Sequence, residues 1–309
     1  MILLEQQSYK VGLENQVSNF SSNLVVFGAN GRLGYDLVKF ISSFKDLNII
    51  PYTKAQANIK NYSEISEVFN INKPKIVINC AAFTNVDLAE ELRSECLEIN
   101  VNGTRNIHEL SLKYNSYLIQ ISTASVFNSL SLEAIDNHAD RNPINYYNKT
   151  KALAEELSEK YIAIGLNVVN LRPYWIYGSQ EKSFTDYVIK SVLSNKEMYI
   201  VNDQYGQPTS TKVIGELIKE CIVNNLVGFF PCTSAGIANR VQWAEQICGY
   251  IGRGRELIKS VPSSKFHSQA PRPFNACLAQ NPWEQIKIKI PSWQESLSNF
   301  LEDSHEEYR

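Results

Sequence analysis

The sequence predicts an α/β protein: a doubly wound parallel sheet carrying a dinucleotide site, joined to a smaller, partly interleaved C-terminal substrate lobe. Three observations predict it. From Asn23 onward, short β-branched runs alternate with longer helical patterns, the signature of β-α-β units. A glycine-rich loop follows the first of these runs directly and opens the first helix. After Pro173 the alternation loosens into short strands, helices and proline-bearing loops. The expected division is a polar leader over 1–22, a dinucleotide-binding domain over 23–172, and a mainly substrate-binding lobe over 173–309.

Leu24 to Phe27 reads as the first strand, Leu47 to Pro51 as the second and Lys75 to Asn79 as the third. Between them, Leu33 to Phe44 and Ser63 to Ile71 read as helices. A helix from about Ser94 to Tyr114, a strand Tyr117 to Ser122, a helix from about Tyr146 to Ile164 and a strand Asn167 to Leu171 complete the sheet. Beyond it lie short strands at Tyr199 to Val201 and Gly228 to Pro231, with helices over Thr211 to Asn224 and Val241 to Ile251. Ligands of such sheets sit past the carboxyl ends of the strands.

With 44% hydrophobic and 20% charged residues in 309, the chain can bury a large core. Thirty basic against 32 acidic residues leave a formal charge of -2, which argues against a nucleic-acid surface. The six cysteines lie far apart with no Cys-x-x-Cys pair, and the four histidines are equally scattered. Reduced, buried thiols and no metal site are expected. No apolar stretch nears the roughly 20 residues that span a bilayer, and Ile2-Leu3-Leu4 is too short for a secretory signal. A cytoplasmic protein with no membrane partner is expected.

Gly28-Ala29-Asn30-Gly31-Arg32-Leu33-Gly34 sits where a dinucleotide fingerprint belongs, between a strand and a helix. Its glycines let the backbone turn tightly and approach a pyrophosphate, which then rests on the helix N-terminus. An acidic residue ending the second strand would hold the ribose 2′-hydroxyl of NAD, but Pro51-Tyr52-Thr53-Lys54 offers none. Arg32 and Lys54 can instead neutralise a 2′-phosphate, so NADPH is favoured over NADH, and Asn58-Ile59 is expected near the adenine.

Tyr147 and Lys151 stand four residues apart at the start of a helix, a spacing that puts both on one face. A cation beside a phenol favours the phenolate and suits the tyrosine to proton transfer. The spacing alone is unspecific, since Tyr35 and Lys39 repeat it. What distinguishes Tyr147 is Thr123, a hydroxyl at the end of the fourth strand, where a nicotinamide should lie.

Glycine loop, strand-end hydroxyl and Tyr-x-x-x-Lys, in that order, resemble the extended short-chain dehydrogenase/reductase superfamily. Further segments narrow the resemblance to its dTDP-4-dehydrorhamnose reductase family: Asn79 to Glu90, Asn100 to Thr104, Leu171 to Gly178, Asn202 to Ser210 and Arg272 to Asn275. It runs from about Asn23 to about Leu297. The resemblance implies a Rossmann-like fold and reduction of the 4-keto group of a nucleotide-linked deoxysugar. In it Tyr147 donates the proton, Lys151 binds the nicotinamide ribose, and Thr123 hydrogen-bonds the carbonyl oxygen. It further implies Ala81, Ala82 and Asn100 at the cofactor, Trp175 stacked on the sugar, and Gln204, Pro208 and Arg272 around the nucleotide-sugar. A homodimer is compatible with it.

One departure bears on the substrate. The family's Ser-Thr-Asp-Tyr-Val-Phe-Asp reads Ser122-Thr123-Ala124-Ser125-Val126-Phe127-Asn128 here, so the substrate pocket expected at Ala124 and Ser125 is smaller and less acidic. The superfamily's sugar-nucleotide dehydratases carry Asp-Glu after the threonine, which this chain lacks. Two other readings stand beside the reductase. One is a non-catalytic dinucleotide-binding subunit like that of methionine adenosyltransferase, and the other is a nucleotide-sugar epimerase.

Overall fold

Strand β1 (Ser22–Phe27) decides the architecture, because Leu24, Val25, Val26 and Phe27 are all fully buried. A strand apolar on both sides must be covered on both faces, as in parallel sheets packed between helices. The computed structural model describes residues 22–44, 46–180 and 183–303, and the expected leader lies outside them except for Ser22. Helix α1 (Arg32–Ile41) leads to β2 (Leu47–Tyr52), and α2 (Tyr62–Asn72) to β3 (Ile76–Asn79). Two short helices, α3 (Leu88–Glu91) and α4 (Arg93–Leu97), precede α5 (Thr104–Lys113) and β4 (Tyr117–Ile121). Helix α6 (Tyr146–Ala163) then returns to β5 (Val168–Arg172).

The helix expected as one piece from Ser94 to Tyr114 is thus broken. Its middle, Glu98–Gly103, winds as a π-helical turn, a widening that proteins often place beside functional sites. Gly103 there packs against Ile59, where a Cβ would meet the Ile59 side chain at 2.7 Å.

Parallel pairing gives the order β2-β1-β3-β4-β5 and then β10 (Gly228–Pro231) at the edge. The chain runs outward from β1 to β2 and comes back to the other side of β1 as β3. That reversal opens a crevice past the strand ends. Alternate side chains feed opposite layers. Leu24, Val26, Ile78, Ile119 and Leu171 join one core. Val25, Phe27, Val77, Leu118 and Val168 join the other.

The second lobe contains β6 (Ile176–Tyr177), α7 (Phe184–Leu193), β7 (Met198–Val201), β8 (Tyr205–Gly206) and β9 (Thr209–Ser210). Helix α8 (Thr211–Asn224) precedes β10, and β11 (Ala238–Asn239), α9 (Arg240–Ile251), β12 (Ile258–Val261), α10 (Asn281–Gln285) and α11 (Trp293–Asp303) follow it. The lobe has its own core around Tyr177, Trp243, Ile247 and Trp293. Val213, Ile214, Leu217 and Ile218 of α8 nevertheless belong to the core beneath α1. With β10 in the main sheet, residues 211–231 lie in the nucleotide half although they follow residue 173.

Candidate active site

Along the carboxyl edge of the sheet runs one cavity of about 960 Å3. Its nucleotide end is the glycine loop. Gly28 takes φ +75°, and a Cβ there would lie 2.6 Å from the Ala81 backbone nitrogen. A Cβ on Gly34 would lie 2.3 Å from Gly28 O. Glycine is what lets the loop turn so close to the end of β3. Helix α1 opens on Gly31, which provides no side-chain cap, so its first N–H groups are left for an anionic ligand. Asn30, Arg32, Leu33, Lys54, Asn58, Ile59, Ala81 and Ala82 line the same space. These residues fit a dinucleotide, with two cations and no carboxylate at the end of β2.

Gly28→Ala is expected to lower stability by about 1–3 kcal/mol through backbone strain and to weaken cofactor binding. Urea unfolding and a cofactor titration check this, and a variant that binds and unfolds like the wild type would refute the cradle.

Thr123, Tyr147 and Lys151 line the same cavity. Thr123 leaves β4 in extended conformation (φ -160°, ψ 145°) and caps the following turn by accepting from the Ser125 N–H. Asn145 caps α6, which starts the helix where Tyr147 and Lys151 share its inner face. Lys151 is only 2% exposed and donates from Nζ to Ile121 O at 2.7 Å. The twin pair behaves differently: Tyr35 is exposed on α1, with Lys39 Nζ 4.2 Å above its ring.

Burial pushes the Tyr147 phenol above its ordinary value. Lys151, expected from the sequence to pull it down, donates one of its three N–H groups to Ile121 O, and desolvation of the phenol prevails. The phenol therefore stays protonated through the neutral range, as a proton donor must. Burial lowers Lys151 to about 8, against the opposing pull of Glu155, Cys96 and Cys80. The lysine is charged below that pH and neutral above it. We expect kcat/KM to fall as pH rises past about 8, since that parameter reports groups of the free enzyme. A pH-rate profile that stays flat well beyond this point would contradict the assignment.

Several expected residues lie outside the cavity wall. Asn100 stands behind it: Oδ1 accepts from Phe83 N at 2.8 Å and Nδ2 donates to Thr150 Oγ1 at 2.9 Å. It ties the loop after β3 to the first turn of α6. Ala124 is fully buried with Val126, Phe127, Ala152 and Leu278, because the turn after Thr123 points it into the protein. Ser125 is spent on Thr123 and Asn148. Arg272 is held by a two-pronged pair with Asp87, at 2.6 and 3.0 Å, and this arginine keeps the Asp87 carboxyl far below its usual range. Gln204 is partly exposed and Pro208 buried, both in the turns that join β7, β8 and β9. Trp175 does line the cavity, but its indole is packed by Trp243 at 5.8 Å, the Arg240 guanidinium at 4.4 Å and the Gly206 backbone.

Sequence reasoning missed Cys80, Phe83, Thr84, Asn85 and Tyr174, all in the cavity lining. Four of them follow β3 directly, so their place beyond a strand end at the chain reversal was the available signal. Cys80, expected buried like the other thiols, faces this space, and burial pushes its thiol up to about 12.

Comparison with known proteins extends the geometry to most of the chain. The protein is similar to the spore coat polysaccharide biosynthesis protein SpsK of Bacillus subtilis, 27% identical over 91% of this chain and 98% of that one. It is similar to the dTDP-4-keto-6-deoxy-D-glucose reductase of Streptomyces niveus, 26% identical over 89% and 94% of the two chains. The crystal structure of dTDP-4-dehydrorhamnose reductase from Bacillus anthracis in complex with NADP superposes with a TM-score of 0.86. That pair is 28% identical, with 92% of this chain and 100% of the other covered. The RmlD substrate binding domain model matches residues 22–306, nearly all of both lobes, so this chain belongs to that family.

Proposed function

We propose that the protein is an NADPH-dependent reductase of the 4-keto group of a nucleotide-linked, dTDP-bearing deoxysugar, serving polysaccharide or deoxysugar biosynthesis in the cytoplasm. The observation that carries this reading is that Thr123, Tyr147 and Lys151 line one cavity with the glycine cradle, Arg32 and Lys54. The names of the relatives support it. Gly28, Gly31, Arg32 and Lys54 would hold NADPH along the cradle, where it would supply the hydride. As the ketone carbon is reduced, negative charge builds on its oxygen, and Thr123 holds that oxygen by a hydrogen bond. Tyr147 gives the oxygen its phenolic proton, completing the alcohol. Lys151 keeps a positive charge at the inner end of the site, which eases loss of that proton.

The test is cofactor oxidation with dTDP-4-keto-6-deoxyhexoses, using NADPH and NADH in turn and identifying the product by NMR. Oxidation with NADPH and a 4-hydroxy product are expected. Tight cofactor binding with no turnover on any nucleotide 4-keto sugar would instead indicate a binding subunit.

A further inference from the structure

To stabilise a ketone oxygen, Thr123 must offer it a proton and not a lone pair, and its neighbours decide which it offers. Its Oγ1 accepts from the Ser125 backbone N–H at 3.2 Å and lies 2.9 Å from Ser125 Oγ. Ser125 Oγ lies 2.7 Å from Oδ1 of Asn148, the residue after Tyr147. All three side chains are buried, Asn148 to 1% exposure.

With Oδ1 toward Ser125, the serine must donate to it, because a carbonyl oxygen only accepts. The serine oxygen then receives the Thr123 proton, and a substrate would meet a lone pair. In this orientation Asn148 Nδ2 is also buried without a hydrogen-bond partner. An unpaired buried amide N–H is less tolerable than an unpaired carbonyl.

Half a turn of the amide exchanges two groups of nearly equal size, frees the Thr123 proton and leaves the carbonyl, the more tolerable orphan, where Nδ2 stood. Nδ2 then donates to Ser125 Oγ, and the Ser125 O–H donates to Thr123 Oγ1. Both acceptor positions of Thr123 are now filled, one by the Ser125 N–H and one by the Ser125 hydroxyl. Its own proton is left directed to the cavity, whose wall Thr123 forms.

We infer that Asn148 and Ser125 are positioning residues that aim the Thr123 hydroxyl proton at the substrate's carbonyl oxygen through this chain of donors. The inference rests on the reductase reading. Ser125 replaces a tyrosine of the family pattern, so the chain of donors belongs to this sequence and not to that pattern.

Neutron diffraction from deuterated protein crystals tests it without substrate. Deuterons on Asn148 Nδ2 facing Ser125, and a Ser125 O–D facing Thr123, are expected; Oδ1 facing Ser125 would overturn the inference. Kinetics with NADPH and a dTDP-4-keto-6-deoxyhexose test its consequence. Ser125→Ala should lower kcat roughly tenfold, and the isosteric Asn148→Asp, whose carboxylate form can only accept from Ser125, roughly 100-fold above the pH at which that carboxyl ionises, with KM changed less than about twofold.

In a Thr123→Val background, Ser125→Ala should cost nothing further, because the serine acts only through that hydroxyl. Undiminished kcat in both single variants, or a Ser125→Ala loss that persists without Thr123, would overturn the inference. A wild-type protein with no turnover would sink the reductase reading, while the neutron map would still decide how Thr123 is aimed.

Discussion

Replacing Tyr147 by phenylalanine is expected to lower kcat roughly 10²–10⁴-fold, the contribution of a positioned proton donor, with cofactor affinity and stability close to wild type. The selectivity follows from the site. Tyr147 lines the cavity, and Thr150 Oγ1 donates to its backbone oxygen at 2.7 Å. Phenylalanine keeps the ring and that backbone bond and removes only the hydroxyl. Burial holds the phenol protonated, so the proton lost in the variant is one that the wild type carries at working pH. Turnover, NADPH titration and urea unfolding of the variant check the three parts. A rate within about threefold of wild type would remove Tyr147 as proton donor, since general acid catalysis is worth far more.

The parts of this architecture that could be read from the sequence are those encoded in short stretches. Leu24 to Phe27 reads as a strand because four successive apolar residues suit a strand covered on both faces. The glycine cradle and the start of α6 near Tyr146 were equally legible, since a tight turn and a helix start are local requirements, and the structure adds the Asn145 cap. Thr123, Tyr147 and Lys151 follow from them, one at a strand end and two on a helix's first turns.

What stayed hidden depends on partners far along the chain. Arg272 meets Asp87 across 185 residues, and nothing near either one announces the pair. Ala124 and Ser125 adjoin Thr123 in sequence, yet the turn after Thr123 directs one into an apolar cluster and ties the other to Asn148. The π-helical turn at Glu98–Gly103 arises where Asn100 reaches Phe83 and Thr150 and where Gly103 meets Ile59. Strand β10 joins the nucleotide half by pairing with β5, a choice its four residues do not reveal.

The largest expected loss of stability comes from Glu155, one helical turn beyond Lys151. Its carboxylate accepts from Arg172 Nε at 2.9 Å and Nη2 at 2.7 Å, from Arg141 Nε at 2.6 Å and from Ser122 Oγ at 2.6 Å. Glu155 is fully buried and Arg172 only 2% exposed. Burial alone would raise the carboxyl's pKa, but Arg172, Ser122 and Arg141 hold it below its ordinary value. The Arg172 guanidinium also bonds Asn137 and lies 4.8 Å from the Phe127 ring. The cluster therefore joins α6, the end of β4, the end of β5 and the loop near Asn137. Removing Glu155 leaves the buried Arg172 guanidinium without its counterion, which costs about 3–5 kcal/mol, whereas removing Arg172 leaves Glu155 still paired with Arg141.

Glu155→Gln should lose about that much in urea unfolding, and Arg172→Met less, because Arg141 still neutralises Glu155. Glu155→Gln combined with Arg172→Met should lose less than the sum of the two single changes, because it leaves no orphaned charge between them. Ser122 precedes Thr123, and Glu155 raises the pKa of Lys151. The Glu155→Gln variant should therefore also shift the alkaline limb of the pH-rate profile to lower pH. Single variants that unfold like the wild type, or a double variant as unstable as the sum, would show that the network does not clamp the strand end that carries Thr123.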